Sequence, residues 1–293
     1  MSRGEKILFL VEGESLEPKI IKRMAQVYDI RCEISSVAAN IHTLYERLKA
    51  DEGFSDVVPV LKEIKRDALE SLRCNAGESI RCQRRIKTLE RDLEVLDESF
   101  ASIYLVFDSE LQDRTKAEDG AVPDKLIAEK NCDQLKEMIA FFNNETEQGK
   151  LYINYPMMES YRDCNDFFDE NYRDRIISLD LLFGRDRSVK GYKQSVGQMR
   201  LANLSPGRIT RDQFNRLTEM NVFKLNRIVS GYWRIMTYEN FRKSSDQIVI
   251  LNAQRTWIRH CCSIAVINTL LFFAIDYFGS VFYNDNISNL HHE

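Results

Sequence analysis

Three apolar runs in this chain stop at carboxylates. In ILFLVEGESLEP, residues 7–18, five apolar residues lead into Glu12, with Glu14 and Glu17 close behind around Gly13. SIYLVFDSELQD, residues 102–113, ends its apolar run at Asp108, followed by Glu110 and Asp113. KLYINYPMMESY, residues 150–161, is a third run, and it leads to Glu159. Carboxylates held close together repel one another unless a cation sits among them. Hard oxygen donors of this kind suit Mg²⁺ or Mn²⁺. Such an ion can activate water and offset the charge of a phosphoryl displacement. The expected chemistry is therefore metal-dependent cleavage of a phosphodiester. For a single acid, a place in a turn or at a helix start is the better explanation, because the helix dipole favours residues such as Glu14 and Glu17 there. The repetition after three runs is what points to a site.

Positioning these acids requires strands that end on one side. KILFLVEG reads as a buried parallel strand closed by glycine. SLEPKIIKRMAQVY carries Ile20, Ile21, Met24 and Val27 at helical spacing, with Pro18 near the start. CEISSVAA is a second candidate strand. Residues 57–98 place leucine or isoleucine three and four apart in two stretches separated by CNAG, the pattern of a helical hairpin. Its basic run, Arg81 to Arg91, is read as a solvated face. The strand-like run at 102–113 is followed by a helical stretch at 124–143 and by the strand-like run at 150–161. Strands alternating with helices imply a parallel sheet, and sites in such sheets are built at the carboxyl ends of the strands. From about residue 200 the pattern is helical. Thr210 with Gln213 three residues on is a capping-box signature, and residues 247–279 read as one or two buried helices.

The three acidic stretches also carry a family resemblance. LFLVEGESLEP resembles the first motif of the Toprim domain, in particular that of RloB-like and OLD-type nucleases. YLVFDSELQD resembles the second motif, aspartate-x-aspartate after a strand, and INYPMMESY is similar to the asparagine-proline-x-x-glutamate segment. The likeness covers about residues 1–165 and is interrupted by the hairpin at 57–98. It implies an α/β fold: a Toprim-like parallel sheet flanked by helices, with a helical hairpin insertion and a mainly helical region over 166–293. By the resemblance, Glu12 matches a metal ligand or acid–base group and Asp108 the first metal-binding aspartate. The second aspartate of the motif falls on Glu110, a departure whose longer side chain would shift the ion, and Asp113 can contribute instead. Glu159 matches the later glutamate, and Glu14 and Glu17 are candidate ligands for a second metal. The implied activity is a Mg²⁺- or Mn²⁺-dependent endonuclease acting on DNA or RNA in bacterial anti-phage defence. The chain has no G-x-x-x-x-G-K-[ST] phosphate loop, so an ATPase controlling it would be a separate partner protein.

Charge speaks to the substrate. The chain carries a formal net charge of -4, yet residues 184–216 hold eight basic residues against two acids. Arg185, Arg187, Lys190, Lys193, Arg208 and Arg211 are candidate nucleic-acid contacts, which would be salt-sensitive and sequence-independent. A solvated loop and helix face explains the same run equally well, and Phe183 and Tyr192 of FGRDRSVKGYK either stack on bases or pack. Seven cysteines without CxxC spacing read as reduced thiols of a cytoplasmic protein. The apolar stretch 261–279 is interrupted by Asn268 and Asp276, and a membrane span needs about 20 apolar residues, so a buried helix is expected and no membrane is implied. That helix could also serve as a homodimer interface. Two other classes remain open: a non-catalytic Toprim-like binding or regulatory module, and a structural adaptor built on the helices.

Overall fold

A computed structural model describes residues 6–37, 41–50, 56–75, 79–114, 122–184 and 190–289. The fold is α/β, with a five-stranded, mostly parallel sheet and helices flanking it. The strands are β1 (Ile7–Val11), β2 (Cys32–Ser36), β3 (Ser102–Asp108), β4 (Asn143–Asn144) and β5 (Gly149–Asn154), in the spatial order β2-β1-β3-β5-β4. β1 pairs in parallel with β2 on one side and with β3 on the other. A strand buried on both faces needs no polar alternation, and every residue of ILFLV is buried. The helices α1 (Leu16–Tyr28), α2 (Ile41–Ala50), α3 (Val57–Asn75), α4 (Ile80–Leu96) and α5 (Asp124–Phe141) fall between the strands, as the alternating pattern requires.

The chain forms two compact units. The first comprises Met1–Ala25, Asp29–Val106 and Phe141–Leu151. Its helical hairpin, α3 with α4, is the one expected from the leucine spacing. The hairpin is tied down by a buried ion pair: Lys65 Nζ lies 2.8 Å from Asp92 Oδ2, and both side chains are 3% exposed. The same ammonium donates to the carbonyl of Ser36 at the end of β2. Gly149, at φ 89°, opens β5 where a Cβ would fall 2.2 Å from the Leu105 side chain, so only glycine fits there.

The second unit comprises Gln26–Tyr28, Phe107–Ala140 and Tyr152–Glu293. Beyond β5 it contains β6 (Ile176–Ser178), α6 (Leu179–Phe183), α7 (Lys190–Val196), α8 (Arg211–Ser230), α9 (Tyr238–Ser244), α10 (Gln247–Cys261), β7 (Ser263–Ala265) and α11 (Phe273–Tyr283). The capping box forms as read: Thr210 accepts from the Gln213 amide at 3.2 Å, and Gln213 returns the bond to the Thr210 amide at 2.9 Å. The apolar stretch 247–279 departs from the expectation of helix alone. α10 ends at Cys262 in the left-handed conformation, φ 46°, and SIA then pairs antiparallel with β6. β-branched and apolar residues satisfy either state locally, and the β6 partner decides. Among the described residues no helix is long and apolar enough to cross a membrane. All seven cysteines are unpaired thiols.

Candidate metal centre

The β1–β3 ladder sets Val11 opposite Val106. Glu12 therefore leaves β1 where β3 is delivering Asp108, and the turn after β3 brings in Glu110. One carboxylate oxygen from each of Glu12, Asp108 and Glu110 lies within 4.8 Å of the other two, and all three residues are half-buried. Oxygens sharing one Mg²⁺ at about 2.1 Å cannot be more than about 4.2 Å apart, a difference that small side-chain torsions close. Three hard carboxylate donors at this spacing fit a divalent cation. Among the described residues this is the one such group.

Asp108 and the turn after it are held by the backbone. The Met158 amide donates to Asp108 Oδ1 at 2.8 Å, which fixes the orientation of the carboxylate. The Ser109 amide donates to the carbonyls of Asn154 at 3.1 Å and Pro156 at 3.2 Å. Glu110 sits at φ 47°, a left-handed conformation that a residue with a Cβ rarely adopts. The buried Asn131 on α5 holds the turn in that shape: its Nδ2 donates to the carbonyls of Glu110 (3.3 Å), Leu111 (3.0 Å) and Asp113 (2.9 Å). Burial, and then the charge of Asp113, push the Glu110 carboxyl above its ordinary range, against an opposing pull from Lys193. A carboxylate destabilised in this way is one that a cation would relieve.

The other acids stand outside the group. Glu14 is exposed, and the Glu17 carboxylate folds over Gly13, its Oε2 only 2.7 Å from where a Cβ would be. The Asp113 amide donates to the Glu110 carbonyl at 3.0 Å, and its carboxylate acts on that of Glu110 through charge. Glu159 is buried against the Lys193 ammonium at 3.0 Å. The described residues thus form one acidic group, and Glu14, Glu17, Asp113 and Glu159 do not complete a second.

The basic segment is described in part. Arg185 and Arg187 lie outside the described residues, as does the Lys190 side chain. α7 is anchored by Tyr192, fully buried, whose hydroxyl donates to Asp163 at 3.1 Å. Asp163 in turn accepts from Arg175 Nε at 3.1 and 3.0 Å. Tyr192 and Phe183 therefore pack rather than stack on bases. This anchoring places Lys193 against Glu159 and within electrostatic reach of Glu110. Arg208 and Arg211 are exposed, with the Arg211 guanidinium 5.6 Å from the Tyr28 ring centre.

Sequence reasoning missed Asn131. It sits on the buried stripe of α5 with Ile127, Ala128, Cys132, Leu135 and Met138, and an amide on an apolar stripe is the signal that marks it, since buried polar groups are there for a partner. The polar set around the turn after β5 was also missed. Asn268 Nδ2 donates to the Met158 carbonyl at 3.1 Å and Ser160 Oγ at 3.0 Å, while Asn154 Oδ1 accepts from the Thr269 amide at 3.0 Å. Comparison with family models, with characterised proteins and with solved structures returns no match.

Proposed function

We propose that this chain is a Toprim-type, divalent-metal-dependent endonuclease. The observation that carries the reading is the convergence of Glu12, Asp108 and Glu110 on one point at the carboxyl ends of adjacent strands. A bound Mg²⁺ or Mn²⁺ would supply an activated water and positive charge against the scissile phosphate. Glu12 and Asp108 would bind it, with the Met158 amide fixing the orientation of Asp108. Glu110 would complete the set, its charge, disfavoured by burial and by Asp113, being offset by the cation. Lys193, held by Glu159 beside these acids, would offset developing negative charge on the phosphate. Nucleic acid, DNA or RNA, is the substrate class this chemistry suits, and the Toprim resemblance supports a role in anti-phage defence under a separate ATPase.

Glu110, standing where the motif has aspartate and locked in a left-handed turn, favours a second reading: a Toprim-like module that binds metal without cutting. Cleavage of tRNA, plasmid and single-stranded DNA by the purified chain, with Mg²⁺ or Mn²⁺, separates the two. Metal-dependent cutting that Glu12→Ala abolishes is the expected result. Equal cutting by both proteins would refute the assignment, and metal binding without cutting would favour the module.

A further inference from the structure

A second concavity, sharing no residue with the acids, opens where α8 ends and α9 begins. It encloses about 600 Å³, within the roughly 300–1,000 Å³ typical of small-ligand sites. Its charged lining residues are Arg234 and Lys243, and no acid lines it. That is unusual in a chain whose net charge is -4. Neither cation has a salt-bridge partner among the described residues. Tyr232, also in the lining, is 59% exposed, and the Arg234 guanidinium lies 4.8 Å from its ring centre. Amide and hydroxyl groups of Asn226, Ser230 and Asn240 complete the polar wall.

The wall is built in advance. Gly231, at φ 87°, ends α8 and turns the chain, and Arg227 Nη1 donates to its carbonyl at 2.7 Å. Asn226 Nδ2 donates to the Arg234 carbonyl at 2.9 Å. Trp233 packs against Phe223 at 5.4 Å, which turns its neighbours Tyr232 and Arg234 outward. Phe241, buried against Phe272 and Tyr283, anchors α9 beneath Lys243. A site ordered before binding spends little affinity on ordering.

We propose that this concavity binds a nucleoside phosphate, with the base on Tyr232 beside Arg234 and the phosphate between Arg234 and Lys243. Unpaired cations with no acid among them select an anion. An exposed ring flanked by a guanidinium selects a planar π-system. The exposed Asn240 side chain in the lining suits a sugar hydroxyl. A free mononucleotide and one residue of a strand present this same chemistry.

Calorimetry on the full chain in the presence of EDTA keeps the test independent of the acidic centre. The probes are 5′-mononucleotides, inorganic phosphate and a short single-stranded oligonucleotide. Saturable binding of nucleotide, tighter than phosphate, is expected. Tyr232→Ala should weaken nucleotide binding by roughly five- to a hundredfold, as loss of one base stack implies, and leave phosphate unchanged. Arg234→Glu with Lys243→Glu should abolish both, and the milder Arg234→Gln with Lys243→Gln should weaken both, each with an unaltered melting temperature because both side chains are exposed. Tighter binding of the mononucleotide would mark a small-ligand site, and tighter binding of the strand a stop along a nucleic-acid track; either supports the proposal. Absence of saturable nucleotide binding, phosphate bound as tightly as nucleotide, or affinity untouched by the charge reversals would overturn it.

Discussion

Glu110 is the residue at which local strain and chemistry meet. A non-glycine residue in the left-handed region costs about 1 kcal/mol or more, and asparagine tolerates it better than glutamate. Glu110→Asn should therefore keep or slightly raise the melting temperature while losing a charged ligand, so calorimetry should show weaker Mn²⁺ binding in a protein that is no less stable. A large loss of stability would mean that the carboxylate serves the fold. The raised proton affinity of Glu110 comes from burial and Asp113, and it has a further consequence. A cation competes with protonation there, so metal affinity should rise with pH over a range shifted above that of an ordinary glutamate. At this scale the sequence was informative about Glu12, Asp108 and Glu110, because acids at the ends of apolar runs are visible one run at a time. It was silent on which of the remaining acids join them, since Glu159 is taken by Lys193 through a contact 34 residues away in the chain.

Elements decide whether those residues stay in place. α5 holds the turn after β3 through the three carbonyls on Asn131. Asn131→Ala should weaken metal binding by about 10–100-fold, the range found when a group that orients a metal ligand is removed. The melting temperature should fall as well, because three carbonyls lose their buried donor. The hairpin α3–α4 depends on the buried Lys65–Asp92 pair. Asp92→Ala leaves an ammonium buried without its counter-ion and should cost about 3–5 kcal/mol in denaturant unfolding, while Lys65→Met with Asp92→Leu should cost much less. Most elements were legible because their periods were clean: β1 as an unbroken apolar run, α3 and α4 as leucine repeats, α8 through its capping box. β7 was not, because SIA has no period of its own and becomes a strand only by pairing with β6.

For the whole molecule, stability should carry a pH signature. Glu219 on α8 is 1% exposed, and burial pushes its carboxyl up from the ordinary 4.5 to about 7, with Arg216 opposing. Between these values the folded chain holds a proton that the unfolded chain has released. Its contribution is thus fully present below about pH 4.5 and is lost as pH rises through about 7, on the order of 3 kcal/mol. Denaturant unfolding across this window should show stability falling with pH from this source, and Glu219→Gln should flatten the slope. An unchanged slope in the variant would show that Glu219 does not titrate there. The central claim, that β1 and β3 assemble one divalent-metal site, is tested most directly by titrating Mn²⁺ into the wild-type chain and into Glu12→Gln and Asp108→Asn under identical conditions. One saturable site in the wild type, lost in both variants while their melting temperatures hold, is the expected result. No saturable binding in the wild type, or binding that survives both substitutions, would contradict it.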